Sequence, residues 1–203
     1  MANAGVKVIT GLEVTPALVG ELKPEAVVVA TGAVPLLPRN ILGIDRPLVM
    51  TAHDLLAGKA TVGSKVAIIG GGLVGCECAE YVAERGVADV TILEMLRDVA
   101  LDMVPFWNRI FLLERLAGYK VKIVTSAEAK EILSDSIVYT MDGKDHSIKG
   151  ITNFVLAAGA TPVNDLYEKL QGMVEEIYVV GDAKAPRMAL EAIEEGTIIA
   201  RQI

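Results

Sequence analysis

The chain has 203 residues, 52% of them hydrophobic and 22% charged, which is enough apolar material for a buried core and too much to stay unfolded. Nineteen basic residues against 26 acidic ones leave a formal charge of −7, the wrong sign for a protein that binds by neutralising nucleic-acid phosphates. Nineteen glycines beside only 4% aromatic residues favour an α/β fold with close backbone approaches and an aliphatic core.

Short runs of aliphatic and β-branched residues predict strands at Val6 to Thr10, Ala26 to Ala30, Lys65 to Ile69, Val90 to Leu93, Val121 to Thr125, Phe154 to Ala157 and Ile177 to Val180. Several are apolar on both faces, as parallel strands covered by helices on each side require. Helical spacing of apolar residues marks Leu73 to Arg85, Val104 to Leu116 and Met188 to Ile203. In the second of these, Met103, Phe106, Trp107, Ile110, Phe111 and Leu113 read as a core stripe, with Trp107 able to serve an interface instead. Between Glu128 and Ile148 the helix signal fades, and Ile137 to Met141 runs into Asp142-Gly143, a hairpin turn. The expectation is a doubly wound parallel sheet with a small antiparallel β-meander inserted before its last strand.

Two cysteines, Cys76 and Cys78, are too few and too close for a disulfide framework. At positions i and i+2 of a helix they face different directions, so packing explains them better than redox chemistry. No basic-plus-apolar leader follows Met1, so a cytoplasmic setting is expected. The best apolar run, Ala26 to Pro38, is broken by Gly32 and Pro35, so no membrane span is expected. His53 and His146 lie in loop or charged contexts without ligand spacing, and neither a metal site nor a catalytic triad is visible.

The sharpest signal is the segment Lys65-Val66-Ala67-Ile68-Ile69-Gly70-Gly71-Gly72-Leu73-Val74-Gly75. A strand enters a G-x-G-x-x-G loop, a helix leaves it, and Glu94 closes the next strand 19 residues after Gly75, the Rossmann-like arrangement for a dinucleotide. Gly70 makes the tight turn, Gly72 lets a pyrophosphate approach, and Gly75 lets the helix pack on the strand; Gly71 belongs to the same cofactor-binding loop, and the free N–H groups at Leu73 and Val74 face the phosphates. A carboxylate at Glu94 accepts both ribose hydroxyls of NAD and repels the extra phosphate of NADP, so NADH is preferred over NADPH. Arg97, three residues on, reads as an exposed charge.

Four patterns arrive in fixed order: Val27-Val28-Val29-Ala30-Thr31-Gly32-Ala33, then Gly70-Gly71-Gly72-Leu73-Val74-Gly75-Cys76-Glu77, then Leu156-Ala157-Ala158-Gly159-Ala160-Thr161-Pro162, then Ile177-Tyr178-Val179-Val180-Gly181-Asp182. Together with the His53 to Gly58 linker and the closing Asp182 to Arg187 segment, they resemble the flavoproteins with two dinucleotide-binding domains. The likeness is to the C-terminal part of NADH:flavin oxidoreductases related to 2,4-dienoyl-CoA reductase and 2-enoate reductase. It implies an FAD-binding domain interrupted by an NAD-binding one: residues 1–60 and 161–203 for FAD, residues 61–160 for NAD. It also implies that Thr31, Gly32, Gly159, Gly181 and Asp182 lie at the cofactors, with Asp182 on the FAD ribityl chain and Glu77 toward the nicotinamide. No G-x-G-x-x-G loop precedes residue 31, and there is no room for the family's N-terminal catalytic domain, so the chain reads as part of a larger enzyme.

The function expected on these grounds is an NADH-binding electron-input module that passes hydride to a flavin, its other partners being the missing N-terminal domains. A non-catalytic NAD-binding or redox-sensing module without flavin is the alternative.

Overall fold

The computed structural model describes residues 4–103 and 106–203. In chain order the first elements are α1 (Pro16–Leu22), β1 (Ala26–Val29), β2 (Ala33–Pro35), β3 (Val49–Thr51), α2 (Ala52–Leu56), β4 (Lys65–Ile69), α3 (Leu73–Glu84) and β5 (Asp89–Leu93). There follow α4 (Phe106–Gly118), β6 (Lys122–Val124), β7 (Glu128–Ile132), β8 (Ser136–Met141), β9 (Lys144–Lys149), β10 (Asn153–Leu156), β11 (Ala160–Pro162), α5 (Asp165–Leu170), β12 (Glu176–Val179) and α6 (Ala189–Ile199). Contacts divide them into two units, Pro35–Ala160 and the pair of segments Met1–Val34 and Thr161–Ile203.

The central unit is built on a five-stranded sheet in the order β3-β10-β4-β5-β6, parallel throughout. Its middle strands are apolar on both faces because both faces are covered. Val66 and Ile68 of β4 turn toward Val82 of α3 and Leu112 and Leu116 of α4. Ala67 and Ile69 turn the other way, onto Ile132 of β7, Ile137 of β8 and Phe154 of β10. The second cover is therefore the antiparallel meander β7-β8-β9, where double-apolar strands had suggested helices on both sides. At its hairpin Asp142 and Gly143 take φ of 53° and 71°, the left-handed pair that a tight two-residue turn needs.

Three sequence expectations change. The segment 35–60, expected to travel with the N-terminal portion, lies in the central unit: β3 pairs with β10, and Ala52 and Leu55 of α2 enter the helix-side core. Thr51 starts α2 by accepting the Asp54 N–H at 3.1 Å, a cap followed by too short an apolar pattern to read as a helix. In α4 the fully buried positions are Leu112 and Leu116, one turn apart; of the expected stripe Met103 and Leu113 pack against this core, while Phe106 and Phe111 are exposed and Trp107 is 67% exposed, and Val104, where the helix was expected to start, lies outside the described residues. Val6 to Thr10 is irregular, not a strand, and Val6, Val8 and Ile9 are exposed. An apolar run with no neighbouring strand to hydrogen-bond has nothing to hold it extended.

The other unit contains the parallel pair β1 and β12, in register from Ala26 opposite Glu176 to Val29 opposite Val179. Helix α1 begins at Thr15, whose hydroxyl accepts the Leu18 N–H, with Pro16 in its first turn. Helix α6 has an apolar sequence yet no buried residue, and Leu190 and Ile193 are exposed. Among the described residues no helix is long and apolar enough to cross a membrane.

Candidate functional site

The glycine loop sits where β4 hands over to α3, at the carboxyl end of the parallel sheet. Gly70 has φ +105°, and a Cβ there would lie 2.4 Å from the carbonyl oxygen of Ala157. Gly75 is more constrained: its Cβ would lie 1.9 Å from the Gly70 carbonyl oxygen, so the helix approaches the turn as closely as two backbones allow. Gly72 is the N-cap of α3, with φ −66° and no side-chain cap, so the first N–H groups of the helix are not satisfied from that position.

Glu94 ends β5 and folds back onto the loop. Only 7% exposed, it accepts the Gly71 N–H at Oε2 (2.5 Å) and the Leu96 N–H at Oε1 (2.7 Å). Each carboxylate oxygen keeps a second lone pair for an external hydroxyl. Gly71 itself is close-packed, with space for a Cβ blocked by Val99 at 2.7 Å. Glu77 lies exposed on the second turn of α3, and partial desolvation, then Glu80 and Asp102, push its carboxyl above the usual value. Val74 is exposed at the start of the same helix. Gly159, just past β10, has φ +102° and open space beside it.

The second constellation lies in the other unit. Gly32 (φ +75°) accepts the Val163 N–H at 2.9 Å, and the Thr31 hydroxyl donates to the Val163 carbonyl. Gly32, Gly181 and Asp182 line one groove of about 400 Å³, together with Arg187 and the Met188-Ala189 start of α6. Asp182 accepts the Arg187 N–H at 3.3 Å, closing the turn between β12 and α6. The turn is held from behind by Glu195 of α6, whose carboxylate accepts the Gly181 N–H at 2.8 Å and pairs with Lys184 at 3.0 Å and with Arg187.

The sequence-predicted residues thus fall into two separate groups. Gly70, Gly71, Gly72, Leu73, Val74, Gly75, Glu77 and Glu94 gather around the α3 N-terminus, with Gly159 in the same unit; Thr31, Gly32, Gly181 and Asp182 gather in the other. Two acids escaped the sequence reading. Asp102 sits on the α3 N-terminus, with the Leu73 N–H 2.9 Å from Oδ1. Glu195 holds the Gly181 turn. Neither belongs to a motif, and each acts across a distance in sequence that no local pattern encodes. Cys76 and Cys78 are free and fully buried. Among the described residues no group of three or more His, Cys, Asp or Glu could hold a metal ion.

The pyridine nucleotide-disulphide oxidoreductase family pattern matches residues 2–196. The chain belongs to that family. Among curated relatives it is 36% identical over 209 residues to an NADH oxidase from Thermoanaerobacter brockii, covering 100% of this chain and 32% of that protein. A cinnamate reductase from Clostridium sporogenes is 29% identical over 205 residues, covering 100% of this chain and 30% of that protein. Among solved structures, that of 2-naphthoyl-CoA reductase with 2-naphthoyl-CoA superimposes on the whole chain with a TM-score of 0.88 at 30% identity, covering 30% of its own chain. The chain therefore spans about a third of the length of these relatives. The enoate- and dienoyl-CoA-reductase-like resemblance read from the motifs agrees with this company, all of it oxidoreductases. The pyridine nucleotide-disulphide oxidoreductase family binds FAD and NAD(P).

Proposed function

We propose that this chain is the NADH-binding, electron-input part of a flavin-dependent reductase of the enoate or dienoyl-CoA type. The observation that carries the reading is Glu94, buried at the end of β5 and hydrogen-bonded to the glycine loop through the Gly71 N–H. That contact brings the acid expected to select the ribose and the loop expected to receive the diphosphate into one site. Residues 35–160 would hold the NADH and the remaining segments would contribute Thr31, Gly32, Gly181 and Asp182 to the flavin.

The residues fit the two cofactors. Side chains at Gly70 and Gly75 would collide with backbone oxygens, so the loop stays bare for a close-approaching anion. The spare lone pairs of Glu94 accept ribose hydroxyls, and its fixed charge disfavours a 2′-phosphate. In the other unit the Gly181-Asp182 turn, the α6 N-terminus and the groove of about 400 Å³ offer a hydroxyl acceptor and a positive helix end. Hydride transfer from dihydronicotinamide to oxidised flavin is the chemistry that the cofactors supply when bound. The protein's own part is to position them, to choose between NADH and NADPH, and to keep the Asp182 carboxylate oriented through the Arg187 N–H.

Calorimetric titration with both reduced nucleotides tests the reading: NADH should bind at least about tenfold more tightly than NADPH, and the reverse order would remove Glu94 from its role. The alternative expected from the sequence is an NAD-binding module without flavin. Colour separates the two readings, because a yellow protein bleached by NADH contains the flavin and a colourless NADH-binding protein does not.

A further inference from the structure

The place where a dinucleotide's diphosphate would meet α3 already holds an anion supplied by the chain. Both carboxylate oxygens of Asp102 lie within hydrogen-bond range of the Leu73 N–H, Oδ1 at 2.9 Å and Oδ2 at 3.1 Å. A Cβ at Gly72 would come within 3.3 Å of Oδ2, so the bare glycine leaves the room that the carboxylate fills. Gly72 provides no side-chain cap of its own, and Asp102 takes over that duty from 29 residues away.

Glu94 and Asp102 both accept loop N–H groups, but they are held very differently. Glu94 is buried, fixed by two backbone donors at 2.5 and 2.7 Å, and lies at the end of a core strand. Asp102 is exposed on the connection between β5 and α4, and among the described residues its carboxylate accepts from the Leu73 N–H. The backbone just before it is pinned independently. The Ala100 N–H donates to the Gly71 carbonyl at 2.7 Å, the Arg109 guanidinium donates to the Val99 carbonyl at 2.9 Å, and Arg109 pairs with Asp98 at 2.5 Å. The Asp102 side chain can therefore rotate away from Leu73 while the loop behind it stays in place. The carboxyl of Glu77, one turn along the same helix, is pushed up first by partial desolvation, then by Glu80 and then by Asp102, so Asp102 adds negative charge beside the loop.

We propose that Asp102 is a built-in competitor for the diphosphate of the dinucleotide, capping α3 when the loop is empty and swinging off the Leu73 N–H when the nucleotide binds. One N–H cannot serve a carboxylate and a phosphate at full strength, and two anions at that distance repel, so the nucleotide binds against the cost of displacing the side chain. The device holds NADH affinity below what the glycine loop could reach, and protects the helix end in its absence. The inference rests on the reading of this loop as the NADH site.

The test is a set of NADH titrations by calorimetry on the 203-residue chain and on Asp102→Asn, Asp102→Ser and, as a charge control on exposed α4, Glu114→Gln. Ser keeps a short oxygen acceptor for the Leu73 N–H without the charge, so it guards against a variant that fails only because α3 has lost its cap; thermal melts establish that each variant is folded. Both Asp102 variants should bind NADH at least threefold more tightly than the parent, with Glu114→Gln unchanged. Unchanged or weaker binding by the folded Asp102 variants, beside measurable binding by the parent, would overturn the competitor role and leave the NADH site standing. If parent and variants all fail to bind NADH, the site assignment falls and the competitor role with it.

Discussion

Glu195 of α6 reaches back across the turn between β12 and α6 and accepts the Gly181 N–H at 2.8 Å. The Arg187 guanidinium, then Lys184 and then this backbone donor hold its carboxyl down to about 2. Because the folded value lies below the ordinary one near 4.5, the interaction stabilises fully above that ordinary value and is lost as pH falls toward 2. In acid titrations followed by circular dichroism, the stability difference between the parent and Glu195→Gln should be largest above pH 4.5 and shrink steadily below it. In the same variant the Gly181 amide should exchange its hydrogen faster. A difference independent of pH would mean that the carboxylate charge does not hold the turn.

Two glycines of one loop should respond in opposite ways. Gly75→Ala places a methyl group 1.9 Å from the Gly70 carbonyl oxygen, a clash between backbones that neither side can relieve. A loss of about 3 kcal/mol or more in chemical denaturation is expected. Gly72→Val sits at φ −66°, which any residue adopts, and its nearest neighbour is the exposed Asp102 carboxylate at 3.3 Å. That variant should melt close to the parent and bind NADH at least about tenfold more weakly, since the branched side chain stands where a phosphate must approach. Parent-like NADH affinity in folded Gly72→Val would move the site elsewhere.

Both thiols should be silent in the native protein. Burial, then the Asp102 and Glu94 charges, pushes the Cys76 thiol up to about 12, and burial alone pushes Cys78 up to about 11. At pH 8 almost no thiolate exists at either residue, and neither is open to reagent. Ellman's reagent should report no fast thiol in the folded chain and two after denaturation. A fast native reaction would contradict the packing role of the pair.

The meander should be part of the central core. Ile132 on β7 and Ile137 on β8 are fully buried against Phe154 and Ile69, as Leu116 is buried on the opposite face of the sheet. Truncation to Ala at Ile132 or Leu116 should each cost about 2–5 kcal/mol, with one cooperative unfolding transition of the parallel sheet. An Ile132→Ala variant that loses only a minor, separate transition would make the meander an appendage.

Local pattern was enough for β4, α3, β5, β10 and the Asp142-Gly143 hairpin, because continuous burial and a two-residue left-handed turn both leave their marks within a few neighbouring residues. The G-x-G-x-x-G loop was legible as a short spacing, although only Gly75 is demanded from within the loop, by the Gly70 carbonyl, while Gly70 is demanded by Ala157 just past β10. The identity of the second layer was not legible, since an apolar strand reports that it is covered and says nothing of what covers it. The exposed Trp107 shows the same limit from the other side: helical spacing marks a stripe, and only the packed sheet selects which stripe is buried. Asp102 on Leu73 and Glu195 on Gly181 lie furthest from sequence reading. An acidic side chain in a loop or on a helix looks solvated, and only folding brings it to a particular N–H, 29 residues away in the first case and 14 in the second. The composition, motif order and family follow from the chain alone; which carboxylates occupy the donors of each turn was decided by tertiary contact, because a hydrogen bond depends on distance in space and not on spacing in sequence.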